Sequence, residues 1–316
     1  MISRGRGVDV GQPSDREIRK MDGSYSRETE KPWDWWGGIV PRVVQRYIRE
    51  DVAPCEVTKL DIISEQRLVV LPDALDNLPA LESLHIWGCH NFIALPDSLN
   101  QLPVLTTLDV SNCSSFTTLP DSLGHLFSLR RLVIWECFAF TALPDSLNEI
   151  SGLNNLTIYK CPEFTTFPSS LSGLSALAKI HIDTCPKLTT LPDSLGDLSA
   201  LKELVLIGCP GIITLPDSLG DLSALRRLHI EKCHNFTALP DSLGELSALQ
   251  KLQLLNCPKF ATMPYSLRYL FAVKLIHVSV CFEFTGMLFD SLEDLSELET
   301  LSVFRCPNFP SPPGSL

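Results

Sequence analysis

Cysteine is the residue in this 316-residue chain whose spacing most invites chemistry. Ten of the eleven cysteines, from Cys89 to Cys306, occupy one position of a pattern that returns every 24 residues, once after 25. Thiolates can close disulfides, hold zinc or act as nucleophiles. A straight ladder with rungs about 5 Å apart cannot gather four sulfurs tetrahedrally round one ion. Catalysis needs an exposed, activated thiol, whereas these fall where a strand turns into a loop. They are predicted to be buried reduced thiols, small apolar fillers that donate weakly to loop carbonyls. Reduced thiols imply a reducing, cytoplasmic compartment.

Other reactive residue types follow the same period. His85, His181, His229 and His277 share a column. The last three sit on alternate repeats, about 10 Å apart at ~5 Å per strand, too far for one metal ion to bridge. The motifs G-x-x-x-x-G-K-[ST], H-E-x-x-H and G-x-S-x-G are missing. Gly5-Arg6-Gly7 completes no dinucleotide fingerprint, and Ser, His and Asp recur by repeat rather than converge. A non-enzymatic chain with no cofactor and no metal is expected.

The elements that carry these residues come from the repeat itself. Leu191–Thr214 is repeated by Leu215–Ala238, and LPDSL-type segments begin every 24 residues from Leu71 to Met263, then at Met287 with one residue inserted before Asp290. Leu201, Leu204, Leu206, Cys209, Ile212 and Leu215 match the leucine-rich-repeat pattern L-x-x-L-x-L-x-x-N/C-x-L. The fold class expected is an α/β leucine-rich-repeat solenoid, a horseshoe of eleven 24-residue coils. Strands such as Leu204–Leu206 should form a parallel sheet on the concave face, and short helix or 3-10 turns the convex face. Each coil turns about eight side chains inward, yielding ~2 to 3 kcal/mol apiece, against roughly 1.5 kcal/mol per residue for ordering 24 residues. No coil stands alone, so neighbours must share one core.

Four segments follow. Residues 1–31 are polar and aperiodic, a disordered lead. Residues 32–56 read as a helical N-terminal cap, with Ile39, Val40, Val43, Val44, Tyr47 and Ile48 on one face and Trp33, Trp35 and Trp36 as wedges. The solenoid runs over 57–309 and a tail over 310–316. The first coil is degenerate, with Glu65 where cysteine should stand. The coil holding Tyr265, Tyr269 and Phe271 departs from its neighbours and suits a bend or a docking patch.

Of 26 Lys and Arg residues ten lie in the first 54, and of 37 Asp and Glu nine, which leaves the remainder at −12. Such acidity argues against nucleic acid and anionic membrane as partners, and no run of 18 apolar residues could span a bilayer. The recurring Asp-Ser of LPDSL, as at Asp193 and Asp217, is expected to open and cap a helical turn. N-x-S/T matches at Asn112, Asn155 and Asn235 read as chance, since no apolar signal peptide leads the chain.

The outward strand residues vary from coil to coil while the convex residues hardly change. That is how repeat frames display a binding surface. Two concave regions are candidates for a protein ligand. Trp87, Trp135 and Tyr159 form an aromatic column with Arg131 beside it, side-chain types that anchor interfaces. His181, Asp183, Glu203, Arg227, His229 and Glu231 form a mixed polar region.

The coil L-x-x-L-x-I-x-x-C-P-x-F-T-x-L-P-D-S-L-G-x-L-S-A resembles the leucine-rich-repeat tail of plant nucleotide-binding disease-resistance proteins, especially those of grasses, across about residues 57–309. That resemblance implies plant innate immunity, by recognition of a pathogen molecule or host target, and a separate signalling or nucleotide-binding protein as partner. No nucleotide-binding core precedes the repeats within residues 1–54, so the switching of that family is not expected here. Intracellular scaffold repeats and ubiquitin-ligase substrate adaptors are the alternatives; the former usually have period 23 and Asn for Cys, the latter a helical F-box.

Overall fold

The computed structural model describes residues 53–286, 292 and 294–310. The expected lead, most of the cap and the tail from 311 lie outside these residues; of the cap, the 3-10 turn Pro54–Glu56 is described. Eleven five-residue strands follow: β1 (Lys59–Ile63), β2 (Ser83–Trp87), β3 (Thr107–Ser111), β4 (Arg131–Trp135), β5 (Asn155–Tyr159), β6 (Lys179–Asp183), β7 (Glu203–Ile207), β8 (Arg227–Glu231), β9 (Lys251–Leu255), β10 (Leu275–Ser279) and β11 (Thr300–Phe304). They form one open parallel sheet in chain order. Each residue pairs with its equivalent one repeat later, as Glu203 with Arg227 and Ile207 with Glu231.

Strands of three residues were expected and strands of five are found. The flanking residues still reach the neighbouring coil, as Arg226 N–H donates to Lys202 O at 2.9 Å and Lys232 N–H to Leu255 O at 2.9 Å. The inserted residue does not disturb the ladder. Thr262 bridges Gly286 and Leu275 pairs with Thr300, so the pairing keeps its register on both sides of the insertion.

Inside one coil Leu204, Leu206, Cys209, Ile212, Leu215, Leu219, Leu222 and Leu225 are all buried. These are the eight inward positions of the repeat, and their counterparts above and below continue one apolar core along the solenoid. A second column follows the cysteines. Phe92, Phe116, Phe140 and Phe164 stack ring on ring at 5.6 to 5.8 Å, as do Phe236, Phe260, Phe284 and Phe309 at 5.6 to 6.0 Å. Leu188 and Ile212 stand between the two stacks.

Opposite the sheet, segments such as Asp193–Asp197 and Asp217–Asp221 make single 3-10 turns. The expected capping by Asp-Ser is not what happens. Proline is the N-cap residue, Asp is already the first turn residue, and no side-chain cap bond forms. The serines of several turns, among them Ser122, Ser146, Ser218 and Ser242, bury their hydroxyls without a partner. Their role is small size, because the turn of one coil lies directly on the next. A Cβ on Gly220 would come within 2.7 Å of the carbonyl oxygen of Ser242. The D-S-L-G segment is thus a close-packing device rather than a cap. Where it reads Ser169-Ser170-Leu171-Ser172, no 3-10 turn forms.

Every strand is followed by a left-handed residue, from Ser64, Gly88 and Asn112 to Val280 and Arg305, with φ between +50° and +68°. This sharp turn delivers the following cysteine into the core. Only Gly88 and Gly208 avoid the steric cost of that backbone, roughly 1–2 kcal/mol for an ordinary L-residue. Val280, β-branched at φ +56°, is the least suited. Val280→Asn, the residue found at the equivalent positions 112 and 256, should raise stability by about 1 kcal/mol. A urea midpoint at or below that of the unsubstituted protein would mean that lost side-chain packing outweighs the relief.

In the tenth coil Tyr265, Tyr269 and Phe271 are more than half exposed on the outer turn. Arg268 lies over the Tyr265 ring at 4.8 Å and pairs with Asp294 at 2.5 Å.

Candidate protein interaction face

Alternation along a strand turns its first, third and fifth residues away from the core. Eleven parallel strands therefore carry three outward lanes that cross the sheet. The lanes are not equally open. Strands stand only about 4.8 Å apart, so residues of the middle lane are walled by side chains on both neighbours and by the flanking lanes. Val133, Val205 and His229 in that lane are buried, at 3 to 5% exposure. Asp109 is also enclosed, and burial raises its carboxyl above the ordinary range although the Ser111 hydroxyl donates to it.

The fifth-residue lane holds the aromatics. Trp135 and Tyr159 are neighbours in register, and their rings stack with centroids 3.9 Å apart and planes 22° from parallel. Trp87 shares the lane but not the stack, since Ser111 on β3 stands between it and Trp135. Arg131 is not beside the aromatics as expected. It opens β4 while Trp135 closes it, four residues along a strand or about 13 Å, and it pairs across with Thr107 and Asn155. The charged neighbours of the stack come instead from the left-handed position. Lys160 Nζ lies 2.8 Å from Glu136 Oε1 and 5.0 Å from the centroid of the Tyr159 ring. Sequence reasoning missed this pair, because the outward direction of the residue after the strand depends on its positive φ.

The mixed region is distributed over β6, β7 and β8. His229 Nε2 lies 3.2 Å from Glu231 Oε2 and His229 Nδ1 3.3 Å from Gln253 Oε1. The His229 hydrogen bond, with Lys232 at 3.1 Å, holds the Glu231 carboxyl down at about 2. His181 lies two strands away in the same lane, separated from His229 by Val205; burial lowers its proton affinity, and its Nε2 is enclosed without a partner. Asp183 accepts from the Thr184 hydroxyl at 2.7 Å. Glu203 pairs with Lys179 at 3.4 Å rather than with Arg227 opposite it, whose Nε is also enclosed without a partner. His181, Asp183, His229 and Glu231 thus share one patch, while Glu203 and Arg227 lie at the strand starts.

Beneath this face run the thiols. All eleven cysteines are free; the ladder from Cys89 to Cys281 is buried, Cys306 is half-buried and Cys55 exposed. The acceptors are strand carbonyls rather than the expected loop carbonyls, as Cys113 Sγ donates to Ser111 O at 3.3 Å and to Ile86 O at 3.7 Å. The left-handed turn before each cysteine carries the sulfur back under the strand end. Burial pushes Cys161 and Cys185 up to about 12 and Cys281 to about 11. With a thiol reagent at neutral pH, Cys55 should react at once, Cys306 more slowly and the buried nine only on unfolding. Rapid loss of more than two thiols from the native protein would contradict the ladder. Among the described residues, no three His, Cys, Asp or Glu side chains group as a metal site, and no helix is long and apolar enough to cross a membrane.

A model for the leucine-rich repeat region matches residues 183–313, and one for the single leucine-rich repeat matches residues 104–126. A search of curated proteins gave no match. Among solved structures, the leucine-rich repeat domain of the type III effector XopL aligns at 20% identity with a TM-score of 0.58, covering 84% of this chain and 80% of that one. The Arabidopsis receptor kinase HAESA, solved in complex with the peptide hormone IDA and the co-receptor SERK1, aligns at 21% identity with a TM-score of 0.51 over 84% of this chain. This chain spans half the length of that receptor chain. The fold is a leucine-rich-repeat solenoid.

Proposed function

We propose that this chain is a cytoplasmic, non-enzymatic module that binds a protein ligand across the outward face of its sheet and serves recognition or regulation in plant innate immunity. The observation that carries the reading is the Trp135–Tyr159 stack with its Glu136–Lys160 rim, set on a frame whose outer turns repeat almost unchanged. A rigid aromatic pair presents large contact area at little cost in side-chain entropy. Leucine-rich-repeat folds are interaction frames, and HAESA, of this fold, was solved with a peptide hormone. The free thiol ladder supports a reducing compartment, and the disease-resistance repeat pattern supports the immune setting.

The test is capture of partners from plant cytosol by the full chain, compared with a Trp87→Ala, Trp135→Ala, Tyr159→Ala variant shown by circular dichroism to be folded. A specific partner should be lost from the variant. A partner retained by the folded variant would place the contact elsewhere, and absence of host immune components from the partners captured by the unsubstituted chain would remove the immune setting.

A further inference from the structure

The basic residues of the solenoid are not scattered. Ten of the chain's 26 Lys and Arg lie in the first 54 residues, leaving 16 for the rest. Half of these fall on two adjacent positions, the strand's first residue and the one before it, between β4 and the coil of β10. Arg130, Arg131, Lys202, Arg226, Arg227 and Lys251 form no ion pair among the described residues. Lys179 and Lys274 complete the lane, each with one carboxylate, Glu203 at 3.4 Å and Glu299 at 3.1 Å. Glu203 is the only acid on these two positions across the seven coils, and Glu299 stands on the same position one coil beyond Lys274. The other acids of the same coils lie away from these two positions, in the 3-10 turns that begin at Asp145, Asp193, Asp217 and Asp241 and at strand ends such as Asp183 and Glu231.

A lane of this sign on a chain of net charge −11 is an attraction that whole-molecule charge opposes, so it must act at short range and on a matching ligand. We propose that an extended acidic segment of the protein partner lies along this lane, perpendicular to the strands. The lane spans six strand spacings, about 29 Å, which an extended chain covers in about nine residues. Long Lys and Arg stems absorb the difference between the strand spacing and the ~6.7 Å repeat of side chains on one face of an extended segment. The partner's other surface then meets the Trp135–Tyr159 stack across the half-buried middle lane. A nucleic acid fits less well. The lane is two residues wide, Asp183 and Glu231 stand further along two of its strands, and the Trp135 and Tyr159 rings already stack on each other, whereas single strands are held by bases stacked on aromatic side chains.

This inference rests on the outward face being the binding face, and its test separates the two. A fluorescein-labelled ten-residue polyglutamate peptide is titrated by fluorescence anisotropy against the full chain, with a polyglutamine peptide and a 20-nucleotide single strand as comparisons. Polyglutamate should bind, weaken as salt rises, and lose at least tenfold in affinity on Arg130→Glu, Arg226→Glu, Lys251→Glu, three exposed residues whose exchange leaves the core untouched. Lys259→Glu, away from the lane, should leave the affinity within twofold. Equal loss in both variants, absence of polyglutamate binding at low salt, or tighter binding of the oligonucleotide would each overturn the proposal. So would a lane variant that abolishes self-association in sedimentation, since the occupant is then a second copy. Retention of polyglutamate binding by the Trp87, Trp135, Tyr159 triple alanine variant, together with retention of its partners, would defeat the aromatic contact while leaving the basic lane in place.

Discussion

Phe116→Ala should cost about 3–5 kcal/mol of stability, the range for a fully buried phenylalanine cut to a methyl. Its ring is wholly buried and lies between Phe92 at 5.6 Å and Phe140 at 5.8 Å, within 3° of both planes. Alanine leaves a cavity shared by three coils, and the stack cannot close over it because the strand ladder holds the coils at their spacing. A solenoid's stability is a sum of coil terms and nearest-neighbour terms, so the damage should be local as well as large. Urea unfolding of the variant, followed by circular dichroism, should show the N-terminal coils melting ahead of the rest. A single transition displaced by less than 1 kcal/mol would show that the ring column contributes little.

Gly173→Ala is the other large effect expected. A Cβ at this position would stand 1.9 Å from the backbone carbonyl oxygen of Asn148. The Gly173 N–H also donates to Asn148 Oδ1 at 2.8 Å, so the glycine is held from two sides and a flexible side chain cannot simply move away. Relief requires the two coils to part. Overpacking of this kind costs about 1–3 kcal/mol, occasionally more, and the upper end is expected because the obstacle is backbone. At ~2–4 °C per kcal/mol for a chain of this order of size, melting should fall by about 6–12 °C. A melting temperature within 2 °C of the unsubstituted protein would mean that the coil yields at no cost.

Gly173 lies at a seam that three features share. The 3-10 turn is missing from its coil, the phenylalanine column stops at Phe164 and resumes at Phe236, and the outer bridges run from Val70 to Thr166 and again from Thr214 to Gly286. The replacements Ser169 for Asp, Leu188 and Ile212 for Phe are each visible in the sequence. Read singly they are conservative changes within a uniform array. Their coincidence is a property of stacked coils, because each ladder needs the same residue type on both of two neighbours.

Much of the architecture was legible beforehand because a strict period does the work of a long-range contact. Identical positions 24 residues apart must stack, so the register of Leu204 on Leu228, the eight inward side chains and the burial of the cysteines all follow from spacing and residue type. Capping by Asp-Ser was misread, since the same residues that cap a long helix serve here to let two short turns touch. The left-handed residue before each cysteine was also missed. Nine of the eleven are not glycine, and only Gly88, Gly208, Asn112 and Asn256 hint at it.

For the candidate face the division is sharper. The sequence alone determined which residues leave the strands outward, since alternation is a local property of extended backbone. The tertiary structure decided which of those residues meet and which remain open. It brought Tyr159 onto Trp135, set Ser111 between them and Trp87 and buried His229 beneath its neighbours. Such outcomes depend on the size of side chains one coil away on either side, and on the turn that aims Glu136 and Lys160. Neither is encoded at the position itself. A repeat specifies its frame within one period, whereas its surface is composed across several.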